Sequence, residues 1–167
     1  MPASDLRPTT DKVRQALFNI LGPLEGRSFL DLYAGSGSVG LEAWSRGAGR
    51  VVSVERDQRF CSVIVQNAAL IHADMEVRTA SVPALLEHAL ELPFDVVFLD
   101  PPYHSQDDRS RVVLLDWGRI VSADGVIVYE ASSREDAPLF PAFELHKSRK
   151  YGETALHFFQ RVKTVDS

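Results

Sequence analysis

The stretch FLDLYAGSGSVGLEAWSRGA, residues Phe29 to Ala48, decides the fold. Ser28–Tyr33 reads as a buried strand, Val39–Arg46 as the helix after it, and Gly47 closes that helix. Between them Gly35, Gly37 and Gly40 spell G-x-G-x-x-G. Glycines at a strand-to-helix turn let the backbone approach a ligand and aim free N–H groups at it. Glu55 stands 20 residues after Gly35, where a dinucleotide site keeps a carboxylate for a ribose. Asp31 stands four residues before Gly35 and sets a negative charge beside the same crevice.

Outward from this turn, helices and strands alternate. Val13, Ala16, Leu17, Ile20 and Leu21 make one apolar helix face, which Thr9 or Thr10 can cap and Gly22-Pro23 ends. Arg50–Glu55 is a second strand, Asp57–Leu70 a helix, Met75–Ala80 a short third strand and Val82–Leu90 a helix. Phe94–Asp100 (FDVVFLD) is a continuous apolar run that suits a strand covered on both faces. Asp107–Ile120 is expected to be helical and Gly125–Ser132 to be a strand. Phe143–Lys150 and Thr154–Val162 are too close in sequence for a crossover helix, so they are expected to form an antiparallel hairpin at one edge. The order implies an α/β fold with a mostly parallel sheet and helices on both faces. Ligands of such sheets sit beyond the carboxyl ends of the strands, so the loops after Tyr33, Glu55, Ala80 and Asp100 are expected to share one crevice.

Charge decides which ligand suits that crevice. At ~4 Å and an effective dielectric near 20, one unit charge contributes roughly 4 kcal/mol before solvation and screening. Asp31 repels a pyrophosphate by that term. It attracts S-adenosylmethionine, which carries an ammonium and a sulfonium. That ligand's single carboxylate can take the N–H groups at the helix start, and Glu55 can accept both ribose hydroxyls. Arg56 or Asp57 can line the adenine edge. Two alternatives stay open: Asp31 caps N–H groups of its own loop, and Glu55 is a solvated strand-end carboxylate.

The second motif, Asp100-Pro101-Pro102-Tyr103, follows the most apolar strand. The exocyclic amine of a base is a poor nucleophile because its lone pair is delocalised into the ring. Two acceptors that hold its hydrogens turn that lone pair outward. The Asp100 carboxylate offers one and the Pro101 carbonyl the other. The prolines stiffen the turn and remove competing donors. Tyr103 offers a face on which an extruded base can stack.

At 167 residues the chain is expected to be a single domain, 1–167, and its 45% hydrophobic and 25% charged residues are those of a globular protein. It holds no uncharged apolar run long enough to span a bilayer and no secretory leader pattern, and a single cysteine, Cys61, excludes an internal disulfide framework. A cytoplasmic monomer is the expectation. The net charge of −5 excludes broad non-specific nucleic-acid binding, so any RNA-facing surface must be local.

Several stretches together resemble one family of class I methyltransferases, the RsmD-like guanine-N2 methyltransferases of small-subunit ribosomal RNA. They are Arg7-Pro8-Thr9-Thr10-Asp11-Lys12-Val13-Arg14, Ala16 to Leu21, Phe29 to Gly37, Gly40 to Ala43, Ser45 to Ala48, Asp100 to Tyr103 and Tyr151-Gly152-Glu153-Thr154. The resemblance implies a Rossmann-like seven-stranded fold and methyl transfer from S-adenosylmethionine to N2 of a guanine in 16S ribosomal RNA, leaving S-adenosylhomocysteine. It puts Asp31, Ala34, Gly35, Ser36 and Gly37 on the methionine end, Glu55 on the ribose, and Asp100, Pro101, Pro102 and Tyr103 at the target amine. Arg7 to Thr10 would lie over the mouth of the site. Two departures matter. Relatives carry a basic hairpin before the Arg-Pro-Thr stretch, and here six residues precede Arg7, so that element is expected to be absent. The third strand ends in Ala80-Ser81 where many relatives place an aspartate, so backbone groups or the Ser81 hydroxyl must meet the adenine.

Candidate RNA contacts are Arg7, Thr10, Lys12 and Arg14, and Lys147, Arg149 and Lys150. Strand alternation puts His146, Ser148 and Lys150 on one face and Lys147 and Arg149 on the other. A solvated edge strand protected by its charges reads the same way. The expected partner is ribosomal RNA, free or within a small-subunit assembly intermediate. No residue is assigned to a metal. Two other functions fit parts of the pattern: an adenine-N6 or other amino-methyltransferase, and an NAD-binding Rossmann protein.

Overall fold

The computed structural model describes residues 9–88, 90–102 and 106–163. Thirteen elements follow one another: α1 (Asp11–Leu21), β1 (Ser28–Leu32), α2 (Ser38–Ser45), β2 (Arg50–Glu55), α3 (Gln58–Leu70), β3 (Glu76–Thr79), α4 (Val82–His88), β4 (Phe94–Leu99), α5 (Gln106–Val112), α6 (Trp117–Ile120), β5 (Val121–Ser132), β6 (Phe143–Tyr151) and β7 (Thr154–Arg161). They build one seven-stranded sheet in the order β3-β2-β1-β4-β5-β7-β6. Strands β1 to β5 pair in parallel, and β7 runs antiparallel to both β5 and β6. The expected parallel sheet with an antiparallel closing hairpin is therefore present. Strand order reverses between β1 and β4, the place where such sheets open a crevice.

Strand alternation sorts the sheet's side chains between two cores. Phe29, Val51, Val96, Phe98, Val128, Leu156 and Phe158 pack under α1 and α2. Leu30, Leu32, Val52, Val97, Leu99, Ile127 and Tyr129 pack under α4, α5 and α6. The second core gathers aromatics: Phe140 stands edge-on to Trp117, Tyr129 and Phe159. Helix α3 lies beside α2, with Ile64 against Gly37 so closely that a Cβ on that glycine would sit 2.6 Å from Cγ1. The central strands are thus covered on both sides, which is why they read as unbroken apolar runs, while the edge strands β3 and β6 stay largely exposed.

Two boundaries differ from expectation by more than two residues. Asp107–Ile120 is two helices, because the chain turns between Val112 and Trp117 and Asp116 restarts it at the N-cap position of α6. The strand expected from Gly125 begins at Val121, and an irregularity opposite Phe94 and Val96 lets the extra residues fit. Among the described residues no helix is long and apolar enough to cross a membrane.

Candidate active site

Four strands deliver one carboxylate each to the same face of the sheet. In β1, Phe29 packs under α1 and α2 while Leu30 and Leu32 face the other way, so Asp31 faces α2. By the same alternation Glu55 ends β2 on that face, Asp100 follows Phe98 past the end of β4, and Glu130 follows Val128 in β5. All lie toward the carboxyl ends of their strands. The loops after β1, β2 and β4 thus converge as expected, and Ala80 N–H donates to the Glu55 carbonyl at 3.1 Å, which ties the end of β3 to them.

The glycine turn is strained and open. Tyr33 has φ 62°, uncommon for a residue with a side chain, and Gly35 and Gly37 follow at 56° and 81°. Gly37 stands at the N-cap of α2 and offers no side-chain cap, so the start of the helix, up to the Gly40 N–H that Asp31 takes, is left open to a ligand. The turn is braced from beneath: Ala34 N–H donates to the Val54 carbonyl at 2.9 Å and Gly37 N–H to the Ala34 carbonyl at 2.8 Å. The Glu55 carboxylate closes it, taking Gly35 N–H at 3.0 Å and Asp57 N–H at 2.7 Å. Glu55 is therefore held in place rather than adrift in water, and each oxygen keeps a lone pair for a hydroxyl. Ser36, Arg56 and Ser81 are exposed around the rim, while Ala34, Gly35 and Ala80 are half-buried.

Asp31 lies deeper than expected. It is 1% exposed, and its Oδ2 accepts the buried Gly40 N–H at 3.1 Å. The capping role left open for it in the sequence is present, directed to α2. Burial is the main reason that its carboxyl is pushed up to about 7; the Gly40 bond opposes this, and the nearby Glu55 and Glu130 add to it. A Cβ on Gly40 would fall 2.6 Å from Ser53 Oγ and 3.3 Å from Asp31 Oδ2, so only glycine lets helix, aspartate and β2 meet.

Asp100 is likewise raised well above the usual carboxylate range, by burial first and then by the neighbouring Glu130 and Asp31. Pro101 is buried and Pro102 half-buried beside it. Two carboxyls pushed up in one cleft mark a place arranged for a cation or a proton-bearing group. Glu130 is the residue that sequence reasoning missed. It is 8% exposed and takes the Thr9 hydroxyl at 3.1 Å. Its signal was an acid in the apolar run GVIVYEAS, a polar group where only buried side chains fit.

Tyr103 and Arg7 lie outside the described residues. The other expected RNA contacts are at the surface. Thr10 caps α1 by accepting Val13 N–H at 3.3 Å, and Arg14 is paired with Asp11. On β6 a bulge between Leu145 and Lys147 takes His146 out of the alternation. Beyond it Lys147 and Arg149 oppose Phe158 and Leu156, on the side of α1, while Ser148 and Lys150 oppose His157 and Ala155. The expected separation of Lys147 and Arg149 from Lys150 holds, and His146 leaves its expected row because the bulge adds a residue.

Comparison with known proteins gives the same frame. The family described as Conserved hypothetical protein 95 matches residues 1–160. The chain is 33% identical to Ribosomal RNA small subunit methyltransferase D of Escherichia coli strain K12 over 165 residues, covering 97% of this chain and 83% of that one. A solved hypothetical protein of Thermus thermophilus superposes with a TM-score of 0.80 at 35% identity, over 97% of this chain and 91% of the other. The ribosomal protein L11 methylase of Lactobacillus delbrueckii shares the fold alone, with a TM-score of 0.71 at 16% identity over 90% of this chain and 78% of its own. With its glycine turn, its Asp-Pro-Pro turn and its closing hairpin in these places, the chain has the class I methyltransferase fold and belongs to the RsmD family.

Proposed function

We propose that the protein transfers a methyl group from S-adenosylmethionine to the exocyclic N2 of a guanine in small-subunit ribosomal RNA, releasing S-adenosylhomocysteine. The observation that carries this is the row of four carboxylates, Asp31, Glu55, Asp100 and Glu130, on one face of the sheet beside an open glycine turn. A diphosphate would oppose the ionisation of these carboxyls, whereas a ligand with a sulfonium and an ammonium would favour it. The similarity to Ribosomal RNA small subunit methyltransferase D supports the RNA as acceptor.

When bound, S-adenosylmethionine supplies a methyl group on a positively charged sulfur. The protein's own groups bind and orient. Three N–H groups of the Ala34–Gly37 turn are taken by Val54, Glu55 and Ala34, so the ligand's carboxylate would meet the turn at Ser36 and at the start of α2, and Asp31 would supply negative potential near its ammonium. Glu55 holds the ribose hydroxyls, with Arg56, Ala80 and Ser81 along the adenine. Asp100 and the Pro101 carbonyl take the two hydrogens of the target amine, and Pro101 and Pro102 keep that turn free of competing donors. Tyr103 stacks on the base. Lys12, Arg14, Lys147, Arg149 and Lys150, with Arg7 and Thr10 at the mouth, engage phosphates at the margin of an otherwise acidic chain. The substrate is small-subunit RNA, free or in an assembly intermediate, and the enzyme acts as a cytoplasmic monomer.

Incubation with methyl-labelled cofactor and either 16S RNA or small subunits, followed by nucleoside analysis, tests the proposal. Label in N2-methylguanosine is expected. Label in N6-methyladenosine, or none in either RNA, overturns it.

A further inference from the structure

The two most distinctive stretches of the chain, the Thr9–Thr10 entry to α1 and the Asp100–Pro102 turn, meet on Glu130, which belongs to neither. Across 121 positions, Thr9 Oγ1 donates to Glu130 Oε2 at 3.1 Å. On the other side, β4 and β5 pair in parallel up to Leu99 and Tyr129, so Asp100 and Glu130 are the next residues along neighbouring strands. Being next in register and on the same face of the sheet, their side chains are neighbours. Around the pair stand Asp31 from β1, with Glu55 of β2 beyond it, and the neutral Thr9 from α1. From β7 the residue opposite Glu130 is the apolar Leu156. Two carboxyls side by side, Glu130 buried and Asp100 half-buried, coexist by sharing a proton or by facing a cation.

We propose that Glu130 is a positioning residue of the amine site, which aims Asp100 at the target nitrogen and shares the proton that Asp100 takes from it. This rests on the proposed amine methylation. In that step a nitrogen–carbon bond forms and the methyl–sulfur bond breaks, with its electron pair left on sulfur. One N–H bond of the amine breaks, and its proton passes to the Asp100 carboxylate. The Asp100–Glu130 pair holds that proton until it leaves to water. The Thr9 bond fixes the rotamer of Glu130 and couples the pair to the entry of α1.

Glu130→Gln keeps the shape and an acceptor for Thr9 but removes the second carboxylate. Its kcat is expected to fall about ten-fold or more while cofactor Kd stays within a few-fold. The acid limb of the kcat profile should move to lower pH by about one unit, because a like charge beside Asp100 is gone. Carbon-13 NMR of the side-chain carboxyls in the free protein should show Asp100 titrating lower by a similar amount. An unchanged kcat with an unmoved acid limb overturns the proposal. If the wild-type protein methylates no RNA, the proposed activity falls, and the NMR titration alone decides the pair: an unmoved Asp100 contradicts it. Should Glu130→Gln not fold, Glu130→Asp takes its place. That variant is expected to recover kcat only in part and to keep the wild-type acid limb, and full recovery with a shifted limb would contradict the proposal.

Discussion

The two ends of the same sheet treat an aspartate in opposite ways. At the amino end, Asp95 begins β4 and is fully partnered. It accepts Ser28 N–H at 2.9 Å and the hydroxyls of Ser28 and Ser122 at 3.3 and 2.8 Å. Burial pushes its carboxyl up, but these bonds outweigh it and hold it below the usual range. At the carboxyl end, Asp31 and Asp100 are raised, by burial first and then by neighbouring carboxylates. Here too stand the left-handed Tyr33 and a Tyr33 hydroxyl that is buried without a partner among the described residues. One end is built to hold the fold together. The other carries strain and repulsion that a ligand with the right charge would relieve.

The largest test of this contrast is Asp100→Ala. Turnover should drop by ~100-fold or more, with cofactor affinity within a few-fold, in single-turnover assays beside calorimetry. Near-normal turnover would break the assignment of that end to the reaction. Asp31→Asn should come next, because asparagine keeps the Gly40 bond and loses the charge. Cofactor affinity should fall by ~10-fold or more, while melting temperature should rise. The sign follows from the raised carboxyl: Asp31 is harmless when neutral in acid, and its burial costs stability as pH rises through about 7. The gain in melting temperature should therefore be largest near pH 8 and vanish in acid. Asp95→Ala should behave in reverse, losing roughly 1–2 kcal/mol of stability above the carboxylate range with kcat unchanged. Its contribution is lost as pH falls through its lowered value, so wild type and variant converge in acid. The smallest effect belongs to the rim. Lys147→Ala with Arg149→Ala should weaken RNA binding a few-fold and flatten its salt dependence by about two phosphate contacts, leaving cofactor affinity untouched.

Much of this was legible in the residues because turns and dry strands leave strong marks. Gly35, Gly37 and the acid at the end of FDVVFLD placed both halves of the crevice. The burial of Asp31 was less legible, since nothing in FLDLY says that α2 will close over it; the close approach at Gly40 does that. The break after Val112 was hidden because the apolar spacing runs on through Val113 and Leu115, although Asp116 was a start signal. Tyr33 gives no hint of a positive φ, because the tertiary turn imposes it on a residue that does not prefer it. Glu130 was passed over because a single acid near a strand end looks solvated until a partner arrives from another motif, here Thr9.

Calorimetry of S-adenosylmethionine binding near pH 6.5, repeated in buffers of different ionisation enthalpy, tests the central claim most directly. If the crevice is built for a cation, binding favours the ionised form of Asp31, so a fraction of a proton is released in wild type and measurably less in Asp31→Asn. Binding without proton release, or binding of NAD in its place, would contradict the account.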